Sequence, residues 1–180
     1  MTHYLWKHPK TGYIQLRYRY LDMEKTRNWS TGTRDRQIAG PRANKFRREK
    51  ELELIGMLPP KIIRDASKRL LKDLLEDYLD DLSARGKTGR NNKTTKQLRS
   101  RISRICNECS WNYISDITPL SFTTWRSRVK SISPSTKNHY LSDCSGFVNY
   151  LRDNSLMEEN PLKGVRKAET LGQKTFERRV

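Results

Sequence analysis

Between Tyr13 and Tyr20 the chain alternates without a break: Ile14, Leu16, Tyr18 and Tyr20 take one parity, and Gln15, Arg17 and Arg19 take the other. Strict alternation is the mark of a strand with one buried face, so this stretch predicts a half-buried strand whose outer face is basic. Residues His3 to Trp6 read as a strand before it, with His8-Pro9-Lys10-Thr11-Gly12 as the reversal. Residues Thr26 to Thr31 read as a strand after it, giving a three-stranded antiparallel meander. From Thr33 and Asp35, residues of the capping type, a polar helix runs to about Ile55 with Ile38, Ala39, Ala43 and Phe46 on one side. That side should cover the apolar face of the sheet, with Trp6 and Trp29 packed between them. Gly40-Pro41 interrupts the stretch, and because proline lacks an N–H and crowds the preceding turn, a kink or a late helix start is expected there.

The period then changes. From Ser67, residues Leu70, Leu71, Leu74, Leu75, Tyr78, Leu79 and Leu82 form a two-wide helical stripe that stops before Gly86. A second helix from about Thr94 carries Leu98, Ile102, Ile105 and Cys109 inward. Thr118-Pro119 and Ser133-Pro134 each supply a cap and a proline in the first helical turn. They open a third helix, with Phe122, Trp125 and Val129 inward, and a fourth, with Tyr140, Leu141, Cys144, Phe147, Val148 and Leu151 inward. The fold class is therefore mixed: a small α+β domain of three antiparallel strands and a helix, then an all-α domain of four helices. Pro59-Pro60 marks the boundary, dividing the chain into residues 1–56, a linker at 57–66, a helical domain at 67–168 and a tail at 169–180.

Charge narrows the function. With 37 Lys and Arg against 20 Asp and Glu, the chain has a formal net charge of +17. The excess is shared: residues 1–56 hold 13 basic and 6 acidic groups, residues 61–168 hold 21 and 12. Anionic polymers are the partners such a surface selects, and small neutral substrates are disfavoured. No apolar run of membrane-spanning length and no signal-peptide pattern occurs in the sequence, so a cytoplasmic, nucleoid-associated location is expected, without a membrane partner.

The sheet face of Gln15, Arg17 and Arg19 combines groups that seek phosphate with groups that pair with base edges. A small sheet can enter a major groove, where Arg pairs with guanine and Gln with adenine; plain solubility of a strand is the competing account. Asn91, Asn92, Lys93, Thr95, Lys96 and Arg99 stand at the start of the second bundle helix, and Ser135, Lys137 and Asn138 at the start of the fourth. Free backbone donors and the helix dipole favour phosphate at both places, whereas Ser133 reads as an ordinary cap. Cys106 and Cys109 have the spacing of half a zinc site or a redox pair, but Cys109 continues an inward stripe and no complementary pair of ligands is evident. Buried apolar packing is the better account, and no metal or cofactor is expected. Trp111, Trp125 and Phe147 likewise fall near core positions rather than forming stacking platforms with Tyr113.

The order of elements carries a family resemblance. Residues 135–142 (Ser-Thr-Lys-Asn-His-Tyr-Leu-Ser), then Phe147-Val148-Asn149-Tyr150-Leu151, then Glu158-Glu159-Asn160-Pro161-Leu162-Lys163-Gly164-Val165 resemble the end of the core-binding domain of tyrosine recombinases, the phage integrase family. The leucine-rich helix resembles that domain's first helix, and the sheet with its helix resembles the arm-type DNA-binding domain many integrases carry in front. The resemblance implies a SAM-like core-binding fold, two bundle helices turned toward a DNA duplex, and a role in DNA integration and recombination beside other recombinase protomers. The family's chemistry needs a tyrosine nucleophile, two arginines and a His-x-x-Arg element, and none of His3, His8 and His139 is followed at the third position by arginine. A non-enzymatic fragment or shortened relative is expected, its tail leading toward an absent catalytic domain. An adaptor that binds a partner recombinase or itself, and an RNA-binding module, stand as the alternatives.

Overall fold

The computed structural model describes residues 2–20, 25–85 and 93–170, in two compact units, Met1–Pro60 and Lys61–Val180. Asn91, Asn92 and the tail beyond residue 170 lie outside the described residues. Among those described, no helix is long and apolar enough to cross a membrane.

The first unit is an antiparallel sheet, β1 (Thr2–Lys7), β2 (Ile14–Arg19) and β3 (Arg27–Ser30), in the order β1-β2-β3. Gly12, at φ +71°, closes the first reversal by donating to the His8 carbonyl at 2.9 Å. This left-handed conformation is one a side chain would strain. The inner parity of β2 buries Leu16, Tyr18 and Tyr20 against helix α1 (Arg36–Leu54), whose Ala43 completes the core. Phe46 of α1 stacks on Trp29 of β3 with ring centroids 4.4 Å apart and 16° between planes.

Three expectations need correction here. Helix α1 starts at Arg36, capped by Asp35, whose carboxylate accepts from Gln37 N at 2.7 Å, and it runs through Pro41. Proline at the sixth helical position removes one backbone donor, yet the helix continues past it and buries Ala39 and Ala43. Ile38 is 47% exposed, because the alanines, not the isoleucine, face the sheet. Trp6 lies on the outer face, since Leu5, its neighbour in β1, takes the inward position.

The second unit contains α2 (Lys61–Ala66), α3 (Leu71–Ala84), α4 (Lys93–Glu108), a 3-10 turn (Ile114–Asp116), α5 (Pro119–Arg128), α6 (Pro134–Asp153) and a last 3-10 turn (Pro161–Gly164). Its core joins Leu71, Leu74, Leu75 and Leu79 of α3, Ile102 and Ile105 of α4, Phe122 and Trp125 of α5, and all six inward residues of α6. Thr118 and Ser133 cap α5 and α6 through bonds from Ser121 N and Thr136 N at 3.1 and 3.2 Å. Two boundaries differ from the reading of the sequence. Residues 61–66 form a short helix that buries Ala66, where a linker was expected, and α3 begins at Leu71 rather than Ser67, its first amide donating to Asn112 O at 2.8 Å. After α6, buried Asn160 accepts from Leu162 N at 2.8 Å and donates to Asn149 Oδ1 at 2.8 Å, which fastens the Asn-Pro turn to the helix.

Candidate nucleic-acid interface

In the first unit the outer sheet face is assembled by register. Arg17 sits opposite Tyr4 on β1 and Asn28 on β3, Gln15 opposite Trp6 and Ser30, and Arg19 opposite Thr2. Cross-strand partners point to the same side of a sheet, so Tyr4, Trp6, Asn28 and Ser30 join the predicted Gln15, Arg17 and Arg19. Those four additions were open to sequence reasoning only once the register was known. The Arg17 guanidinium carbon stands 4.1 Å from the Trp6 ring centroid, and Nη1 donates to the Tyr4 hydroxyl at 3.1 Å.

In the second unit α4 sorts its cations by type. Lys93 and Lys96 are exposed, beside Gln97 and Ser100, along a shallow surface depression. All three arginines of the helix are instead held by carboxylates: Arg99 by Glu76 of α3, Arg101 by Asp143 of α6 at 3.0 Å, and Arg104 by Glu108 at 2.7 Å. Arg99, expected as a phosphate contact, is thus already paired. Thr95 is corrected outright: at 3% exposure its side chain is part of the interior, because it falls on the same helical face as Ile102.

At the start of α6, Ser135 is exposed, but its two neighbours have internal duties. Lys137 Nζ donates to Arg126 O at 2.8 Å, placing an ammonium at the carboxyl end of α5, where the helix dipole favours a cation. Asn138 donates to Ala168 O at 2.9 Å and accepts from Ala168 N at 2.7 Å, while Arg126 donates to Arg166 O. The segment around residues 166–168 is therefore strapped across α5 and α6, and it presents Arg166 and Lys167 to solvent. Neither residue was singled out by the sequence, since they follow the last helix in an irregular stretch.

A partly exposed network joins α4, α5 and α6. Glu108 accepts from Arg104 and from the Trp125 indole, and Arg104 also donates to the Tyr140 hydroxyl at 3.2 Å. The bonds from Arg104, then from Trp125, hold the Glu108 carboxyl below its ordinary value. Cys144 is a core residue, and Cys106 and Cys109 are partly buried against that core: burial pushes Cys106 up to about 12, Cys109 up to about 11 and Cys144 well above its usual value. Such thiols are poor nucleophiles and poor ligands. Among the described residues no group of three or more His, Cys, Asp or Glu is placed to hold a metal ion.

Comparison with known proteins adds to this geometry. Residues 67–169 match the family model described as the phage integrase N-terminal domain. Two solved structures are similar in fold: a lambda integrase tetramer bound to a Holliday junction (22% identity, TM-score 0.50) and a lambda integrase dimer bound to a COC' core site (17% identity, TM-score 0.51). Each likeness covers 92% of this chain and 45% of the other, so the chain spans less than half the length of those proteins. No curated protein matches. The matched model is that of the N-terminal domain.

Proposed function

Since the chain belongs to the family of the phage integrase N-terminal domain, we propose that it binds duplex DNA as the non-catalytic part of a site-specific tyrosine recombinase. Residues 1–56 act as an arm-type domain whose outer sheet face enters a groove, and residues 67–168 act as the core-binding domain. The observation that carries the reading is the set of exposed lysines and hydrogen-bonding side chains on α4, Lys93, Lys96, Gln97 and Ser100, within the matched residues of a chain of net charge +17. Exposed lysines with no carboxylate partner among the described residues are the groups that neutralise phosphate and release counterions. The solved integrases of similar fold are held on a Holliday junction and on a core site, and this reading brings the same class of ligand to this chain. Other recombinase protomers on the same duplex are its protein partners.

A salt titration of binding to one duplex DNA, with duplex RNA and an isolated partner recombinase as competitors, tests it. Binding to DNA that weakens steeply with salt, and resists RNA competition, is the expected result. Affinity insensitive to salt, or displaced only by the recombinase, would instead favour the adaptor reading. No strand cleavage and no covalent protein–DNA adduct should form in any arm of the experiment.

A further inference from the structure

The outer face of the sheet carries Gln15, Arg17, Asn28 and Ser30 at its centre, and none of these is a lysine. Amide, guanidinium and hydroxyl groups pair with base edges, whereas a surface built only for phosphate has no need of them. Arg17 is also restrained. One flat side of its guanidinium rests over Trp6, and one of its donors is taken by the Tyr4 hydroxyl directly across the strand pair. An arginine that merely neutralises phosphate gains little from such restraint, because Coulomb attraction tolerates displacement. A two-pronged pairing with a guanine edge does not tolerate it, and a guanidinium ordered before binding loses less freedom on forming it.

We propose that Tyr4 and Trp6 are positioning residues that hold Arg17 to read a guanine edge in the major groove, with Asn28 beside it as a second base reader. The proposal rests on the duplex-binding reading and adds that sequence discrimination resides in the sheet.

The test starts from selection of preferred sites out of a random duplex DNA library by the full chain, followed by affinities for the selected duplex and for a scrambled one. Arg17→Lys keeps the charge but loses the flat fork, so the ratio of the two affinities should fall by about 5- to 150-fold, with the scrambled-duplex affinity and the salt slope unchanged. Trp6→Leu and Tyr4→Phe should lower the ratio by at least about fivefold and leave scrambled-duplex affinity within about twofold. Circular dichroism and the unfolding midpoint identify any variant that merely fails to fold; Arg17→Lys, on the solvent face, keeps the test decisive in that case. An unchanged ratio in Arg17→Lys, or equal loss on both duplexes in Trp6→Leu, overturns the proposal. So does a wild-type chain that binds every duplex alike, which leaves the duplex-binding reading intact. A wild-type chain that binds no duplex overturns that reading itself.

Discussion

Arg99 grips Glu76 through both prongs of its guanidinium, Nη1 to Oε1 and Nη2 to Oε2 each at 2.7 Å, and so ties α4 to α3. Both side chains are about two-fifths exposed, and screened pairs of this kind contribute little stability, about 0–1 kcal/mol. The consequence is one for binding: the charge of Arg99 is already neutralised locally, and that of Lys96, one turn earlier on the helix, meets no carboxylate among the described residues.

Replacing Lys93 and Lys96 together by alanine should therefore lower the slope of log K against log salt by roughly 1.8, at about 0.9 per lost phosphate contact on duplex DNA. Arg99→Ala should change that slope by far less and shift the unfolding midpoint only slightly. Equal slopes for the lysine double variant and the wild type, in a salt titration on one duplex, would remove α4 from the interface.

The fold was legible where a period persisted long enough to set a face. All six inward residues of α6 are buried, because Tyr140 to Leu151 spans three full turns of one stripe. The alternation of β2 set its inner face in the same way. In β1 the apolar residues Tyr4, Leu5 and Trp6 are consecutive, so parity was undefined and Trp6 was assigned to the wrong side. The site was less legible, for a different reason. Whether a cation is free depends on carboxylates remote in sequence, such as Glu76 for Arg99 and Asp143 for Arg101, and no local pattern encodes those meetings. Thr95 failed because a polar residue at a helix start reads as exposed, and only packing of α4 against its neighbours decides otherwise.

The three cysteines should be inert in the folded chain. Alkylation needs thiolate, and burial raises Cys109 to about 11 and Cys106 to about 12, with Cys144 also shifted far up. At about pH 8 the native protein should react with iodoacetamide on the order of a hundredfold more slowly than the unfolded one, as read by mass spectrometry. Added zinc should leave the unfolding midpoint unchanged, since ligation would require the same deprotonation.

Glu108 gives stability a defined pH dependence. Its carboxyl is held below the ordinary range in the folded state, chiefly by the bond from Arg104 and then by that from Trp125. A depressed carboxyl stabilises the fold fully above its unfolded value, and the stabilisation disappears as pH falls through the lowered folded value. Denaturant unfolding followed from about pH 6 down to about pH 2 should show wild-type stability declining on the acid side, with a shallower decline in Glu108→Gln. A variant that loses stability in parallel with the wild type throughout that range would remove Glu108 from the acid response.

Asn138 separates a structural duty from a DNA contact. Both ends of its amide are engaged by the Ala168 backbone, at 2.9 and 2.7 Å, which fixes its orientation toward the strap. Its replacement by alanine should release the strap at residues 166–168, raising hydrogen exchange at the Ala168 amide, while the core of α6 keeps its protection because Leu141, Cys144 and Val148 are packed independently of it. Global stability should fall by no more than about 1–2 kcal/mol, the scale of one or two hydrogen bonds at a partly exposed site. The strap carries Arg166 and Lys167, so loosening it should weaken DNA binding by spreading those charges over more conformations, without the drop in salt slope that deleting a cation produces. Arg166→Ala with Lys167→Ala should show the complementary behaviour: unchanged exchange at Ala168 within the error of the experiment, and a slope reduced by up to roughly 1.8. If Asn138→Ala instead lowers the slope while Ala168 stays protected, Asn138 is itself a phosphate contact and the strap has no part in binding.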